Sequence, residues 1–140
     1  MTTSRTSSRS SPAIWASVLA ACFASPAWGQ PIGADETSRR LVHGAADASG
    51  EIACAQITGQ AMGVCAARVV RGPDGRASVR VAFANGFSRV LHFDGGAFVR
   101  ASSTMSGVGT DTDWTLEDGT HRVRVEGQRY ELPHDLVFAE

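Results

Sequence analysis

The side chains in this sequence that could do chemistry are few and scattered. Four histidines, His43, His92, His121 and His134, stand at no spacing that metal ligands share, and a zinc site needs at least three ligands to converge. The stretch "TDTDWTLED", residues 110 to 118, carries acids at 111, 113, 117 and 118 and resembles the start of a calcium loop. The glycine and the remaining ligand spacing of D-x-[DN]-x-[DN]-G are missing, so it reads as a solvated acidic turn. Nucleophilic catalysis needs a serine or cysteine beside a base, and no G-x-S-x-G elbow occurs. Ser102, Ser103, Thr104 and Ser106 read as a polar loop, Met62 and Trp114 as packing residues. No catalytic residue, metal or cofactor is expected from these patterns.

Two other groups carry more information. Cys54 and Cys65 are an even pair once the N-terminal segment holding Cys22 is removed, and an even pair in an oxidising compartment predicts a disulfide. The segment it would close, "CAQITGQAMGVC", is too long for a redox C-x-x-C motif. Near the C-terminus, "HRVRVEGQRYEL" reads as a hairpin turning at Glu126-Gly127. Val125 then faces Gln128, Arg124 faces Arg129, Val123 faces Tyr130, Arg122 faces Glu131 and His121 faces Leu132. Alternation sends Val123, Val125, Tyr130 and Leu132 to the core. Arg122, Arg124 and Arg129 project together from the other side, with Glu131. Three guanidiniums on adjacent strands suit carboxylate or phosphate groups. Their bland alternative is a surface network with Glu126, Glu131 and neighbouring acids.

The N-terminus has the layout of a bacterial secretory signal. Arg5 and Arg9 lie in a Ser/Thr-rich segment, an apolar run extends from Ala13 to Ala24, and no acid precedes Asp35. The run is shorter than the ~20 residues a membrane helix needs, so no membrane span is expected. Ala27-Trp28-Gly29 before Gln30 offers a cleavage site that releases a soluble chain into the periplasm or medium. Leu19-Ala20-Ala21-Cys22 resembles a lipobox, and its use would lipid-anchor the protein to the envelope through Cys22. Release is favoured because Phe23 and Ala24 continue the apolar run past the cysteine. The expected organisation is a signal peptide over 1–29, a flexible tether over 30–50 with a loose helical turn near Ser38 to His43, and one domain over 51–140.

Composition agrees with a single globular domain, since 43% of the residues are hydrophobic. The chain has no lysine; removing Arg5 and Arg9 from its 13 basic residues leaves 11 against 14 acids. That acidic balance argues against nucleic-acid binding, for which a basic domain is expected.

The elements that must position these groups are strands. Turn signals at 72–75 (GPDG), 85–86 (NG), 94–96 (DGG), 117–120 (EDGT) and 126–127 (EG) recur between valine-rich and aromatic runs. That spacing is the signature of a small antiparallel all-β domain of hairpins or a meander. The expected strands are 66–71, 76–83, 88–93, 97–102, 112–117, 120–125 and 128–132. Pairing across Asn85-Gly86 as a two-residue turn places Val79, Val81, Val90 and His92 on one face and Arg80, Leu91 and Phe93 on the other. Both faces are then partly apolar, which predicts a curled or two-layer sheet.

The combination "GEIACAQITGQAMGVCAARVVRGPDG", "RVLHFDGGAF" and "VEGQRYELPHDLVF" resembles a domain of uncharacterised secreted proteins of proteobacteria. In that family two cysteines bracket a Gln/Met/Gly loop and the domain closes on Arg-Tyr-Glu-aliphatic-Pro. These map onto Cys54, Cys65 and Arg129 to Pro133, over roughly residues 50 to 138. The chain departs from the family at His134, where an acid usually follows the proline, and at its terminus, which lacks the usual glycines. Similar domains accompany secreted β-domains that look like lysozyme inhibitors. The resemblance implies an extracytoplasmic compartment and a β fold, and transfers no activity. The expected function is a non-catalytic binding or inhibitor-like module of the cell envelope, its partner a protein or an anionic envelope component. An extracytoplasmic hydrolase is the alternative class.

Overall fold

The computed structural model describes residues 32–105 and 107–139, with residues 32–35 described by backbone alone. The segment expected to be a signal peptide, its expected cleavage site and Cys22 lie outside the described residues, as does Ser106. The chain runs α1 (Ile32–Val42), β1 (Ala48–Ala55), β2 (Gly63–Arg71), β3 (Ala77–Ala82), β4 (Ser88–Asp94), β5 (Ala97–Ala101), β6 (Thr112–Glu117), β7 (Thr120–Val125), β8 (Gln128–Pro133) and α2 (His134–Val137). The domain is all-β and antiparallel, and seven of its strands fall where the turn signals put them. Among the described residues no helix is long and apolar enough to cross a membrane.

The strands form one sheet in the order β5-β4-β3-β2-β1-β8-β7-β6. Read as a ring, this is chain order, because β1 and β8 pair with each other and every other pairing joins consecutive strands. The sheet is therefore an up-and-down meander curled almost into a barrel, parted between β5 and β6. Its two ends meet in the interior, where Phe93 of β4 lies edge-on to His121 of β7 at 5.2 Å between ring centroids. Val69, Val79, Val81, Leu91, Phe93, Val125, Tyr130 and Leu132 fill the inside, all at 1% exposure or less.

Two expectations need correction. The 30–50 span expected to be a tether instead carries α1 and the start of β1. The helix docks across the outside of β2, β3 and β4 through buried Leu41 and Thr37, the latter bonded to Ser78 at 2.7 Å. Arg40 anchors its end to the carbonyl of Arg71 (3.2 Å) and to Asp47 (3.1 Å). β1 escapes a reading by turns because no turn signal precedes it and its sequence, ASGEIACA, is small and polar. Its flanking strands on both sides, β2 and β8, make it a strand.

The β3–β4 register is also shifted by one residue from a two-residue turn. Gly86 donates to the carbonyl of Phe83 (3.0 Å) and Phe83 to that of Phe87 (2.8 Å), enclosing three residues, with Gly86 at φ 87°. A shift of one residue flips every side chain of the partner strand. Val79 pairs Leu91 and Val81 pairs Arg89 on the inside, while Ser78, Arg80, Val90 and His92 face out. The inner face is buried, and α1 covers the outer one at Ser78 and His92 while Arg80 stays exposed.

Candidate functional site

The final hairpin has the register read from its sequence, Val125 with Gln128 through His121 with Leu132. Glu126 accepts left-handed backbone (φ 50°) at its tip, a conformation uncommon for a residue with a side chain. Arg122, Arg124 and Arg129 therefore share the outer face, as expected, but in three different states.

Arg124 is fully engaged. Its Nε donates to Asp113 (2.9 Å), Nη2 to Asp111 (3.1 Å) and Nη1 to the carbonyl of Glu126 (2.9 Å). The bonds to Asp111 and then Asp113 push its pKa above the ordinary arginine value. Arg122 makes one exposed pair, to Glu117 at 3.3 Å. The acidic run 110–118 thus holds the strand expected over 112–117, and Asp111, Asp113 and Glu117 pair with the arginines of β7.

Arg129 is different because the cysteine loop covers it. The predicted disulfide joins Cys54 to Cys65 across β1 and β2, with both residues in the core. Gln60 braces the loop by accepting from the backbone N–H groups of Gln56 (2.9 Å) and Ile57 (3.2 Å). Asn85 of the β3–β4 turn holds Gln56 at 2.9 Å. So fixed, the Gln60 carbonyl accepts from Arg129 Nη2. Nε of Arg129 is buried and hydrogen-bonded to nothing among the described residues. Beside it opens a cleft of about 280 Å³ whose lining includes Met62, Asp113, Arg122, Arg124, Arg129 and Glu131.

Inside the sheet lies a polar junction that sequence reasoning missed. Arg89, with a side chain wholly removed from solvent, pairs with Glu126 and donates to Gln128 (2.7 Å), the Ser102 carbonyl (3.0 Å) and the Gly107 carbonyl (3.2 Å). Glu126 also accepts from the backbone of Gly109 at 2.9 Å, and Tyr130 bonds Gln128 at 3.0 Å. Burial pushes the Tyr130 hydroxyl well above its usual pKa. Arg89 and Glu126 together pin the 102–111 connection across the parting between β5 and β6. Only the correct β3–β4 register would have put Arg89 indoors.

At the opposite end, Trp114 Nε1 donates to His121 Nδ1 (3.1 Å), and His121 Nε2 lies 2.9 Å from His134 Nδ1. An indole N–H can only donate, which places the His121 proton on Nε2 and makes His134 Nδ1 its acceptor. Burial first, then the neighbouring His134, lowers the His121 pKa from 6.5 to about 4. Below about pH 6.5 the unfolded chain protonates this ring while the folded one stays neutral, so stability falls as the pH falls toward 4. We expect a loss of about 2 kcal/mol at about pH 5, absent in His121→Phe, in urea melts across that range. Equal acid sensitivity in the two proteins would rule this out.

The other candidates close on themselves. Ser78 and His92 meet at 3.2 Å, but Ser78 is sealed beneath α1 with Thr37 and Ser38. Ser102 and Ser103 hold backbone groups of Val90 (3.0 Å) and Val108 (3.1 Å). Among the described residues no three His, Cys, Asp or Glu side chains converge as metal ligands do. Compared with known proteins, the chain matches no family model, no curated protein and no solved structure.

Proposed function

We propose that this chain is a small exported, non-catalytic binding module of the bacterial cell envelope, whose Arg129 cleft takes a carboxylate or phosphate group of its partner. The observation that carries the reading is the buried, unpartnered Nε of Arg129 beside the cleft. A guanidinium with one donor unsatisfied gains a charge-assisted bond when an anion enters, and Arg122, half-exposed nearby, can supply a second. Two further features support export and an inhibitor-like role: the disulfide, which suits an oxidising compartment, and the resemblance to secreted proteobacterial β-domains. The periplasm or medium is the proposed location, with the lipid anchor at Cys22 as the other route. A hydrolase has less behind it, because the serines that meet His92, Ser78 beneath α1 and Ser38 on α1 itself, bond to each other at that helix rather than line a cleft.

An amide-shift titration tests the site, using phosphate and acidic glycan fragments, with neutral glycans as control. Saturable shifts over residues 122–131 and at Met62 are expected for the anions, weakened about tenfold or more in Arg129→Ala, the loss of one charge-assisted bond. No saturation, or equal shifts with neutral sugars, would reduce the cleft to ordinary surface.

A further inference from the structure

The parted sheet leaves two edges, and they are protected very differently. β5 is five residues long and its pairing with β4 is broken by a bulge between His92 and Phe93. Shortness and bulges are how natural sheets prevent edge pairing. β6 is only one residue longer but lacks the bulge. Its six residues, TDWTLE, pair with β7 in unbroken register from Thr112 to Glu117, with no proline or glycine. Its turn, Asp118-Gly119, has φ 49° and 71°, the two-residue hairpin that makes Glu117 and Thr120 the first bonded pair. Alternation from that pair turns the backbone N–H and C=O of Thr112, Trp114 and Leu116 toward the open edge. Leu116, on the inner side of the strand, is 44% exposed beside it.

Charge decides what the edge admits. Asp113 and Glu117 occupy the outer side of β6, with side chains 77% and 57% exposed, and Asp111 and Asp118 flank them. Two copies of β6 paired antiparallel would set acid against acid, which is destabilising on a shared face. A strand with basic residues outward and apolar residues inward meets the opposite situation. The chain supplies an example on the covered side of β6, where β7 reads THRVRV and sets Arg124 against Asp113 and Arg122 against Thr115. We propose that the free edge of β6 binds an extended segment of a partner protein by strand addition, the segment alternating apolar and basic residues. Its apolar side chains lie against Leu116 in the parting, its basic ones against Asp113 and Glu117. The surface adjoins the Arg129 cleft, whose lining includes Asp113, Trp114 and Thr115 of β6, but the added strand is held by the backbone edge of β6 and not by the cleft.

The probe is a synthetic peptide of sequence THRVRV, with THEVEV as its charge-reversed counterpart, titrated against the protein. Binding of THRVRV should slow amide exchange at Thr112, Trp114 and Leu116 and be about tenfold or more tighter than that of THEVEV. Leu116→Pro removes an edge-facing N–H without touching a bond to β7 and should abolish binding. Asp113→Asn with Glu117→Gln, which leaves the backbone intact, should erase the preference between the peptides. The proposal fails if THRVRV does not bind or binds without protecting β6. It fails equally if both peptides bind alike, or if sedimentation shows the protein pairing with itself through β6.

Discussion

Glu126→Ala should lower the unfolding free energy by about 3–5 kcal/mol, the range for removing one partner of a buried ion pair. Arg89 would keep Gln128 and two carbonyls, but these are neutral, and its side chain has no route to water. The reciprocal change should cost less. Arg89→Met removes the buried charge and replaces it with volume, while Glu126, with 21% of its side chain exposed, can turn to solvent. Urea melts at neutral pH compare the two. An Arg89→Met loss as large as that of Glu126→Ala would mean that packing, not charge, holds the junction. Amide exchange at Gly109, whose N–H bonds the Glu126 carboxylate, should quicken in Glu126→Ala before the domain unfolds.

Reducing the Cys54–Cys65 bond is the second large perturbation. A closed loop of this length restricts the unfolded chain by roughly 3 kcal/mol, and small exported domains lose about 2–5 kcal/mol without such a bond. For a domain of this size that is a fall of roughly 10–20 °C in Tm. Calorimetry with and without reductant measures it, and a shift of only a degree or two would show the covalent link to be redundant. The loss has a local side as well. The loop places the Gln60 carbonyl on Arg129 and Met62 beside the cleft, so anion affinity should drop in reduced protein that is still folded.

What could be read from the sequence depended on whether the local signal was also the deciding one. The last hairpin was legible because Glu126-Gly127 leaves a single two-residue turn between two strictly alternating strands. The Asn85-Gly86 pair gave the same signal but a longer loop, since Phe83 and Phe87 pair outside it, their rings tilted against each other at 5.6 Å. That one residue hid Arg89 by assigning it to the outer face. α1 was legible only as a loose turn and β1 not at all, for another reason: their stability comes from the sheet they cover or complete, and the residues of β1 are small and polar. Of the candidate site, the three arginines were legible as a face. Their unequal states were not, because those depend on β6 acids and on a loop brought in by the disulfide.

The ring order of the strands also dictates how the chain must assemble. Every pairing but one joins neighbours in sequence and can form as soon as a hairpin turns. The exception, Ala53 with Glu131, has to wait for nearly the whole domain to gather, and the entropy of that closure falls on one interface. A circular permutant with its ends joined beside β1 and β8 and reopened in the 102–111 connection would carry its strands in spatial order from β6 round to β5. The parting between β5 and β6 is thus the one place where this fold could begin and end without any strand pairing between distant parts of the chain.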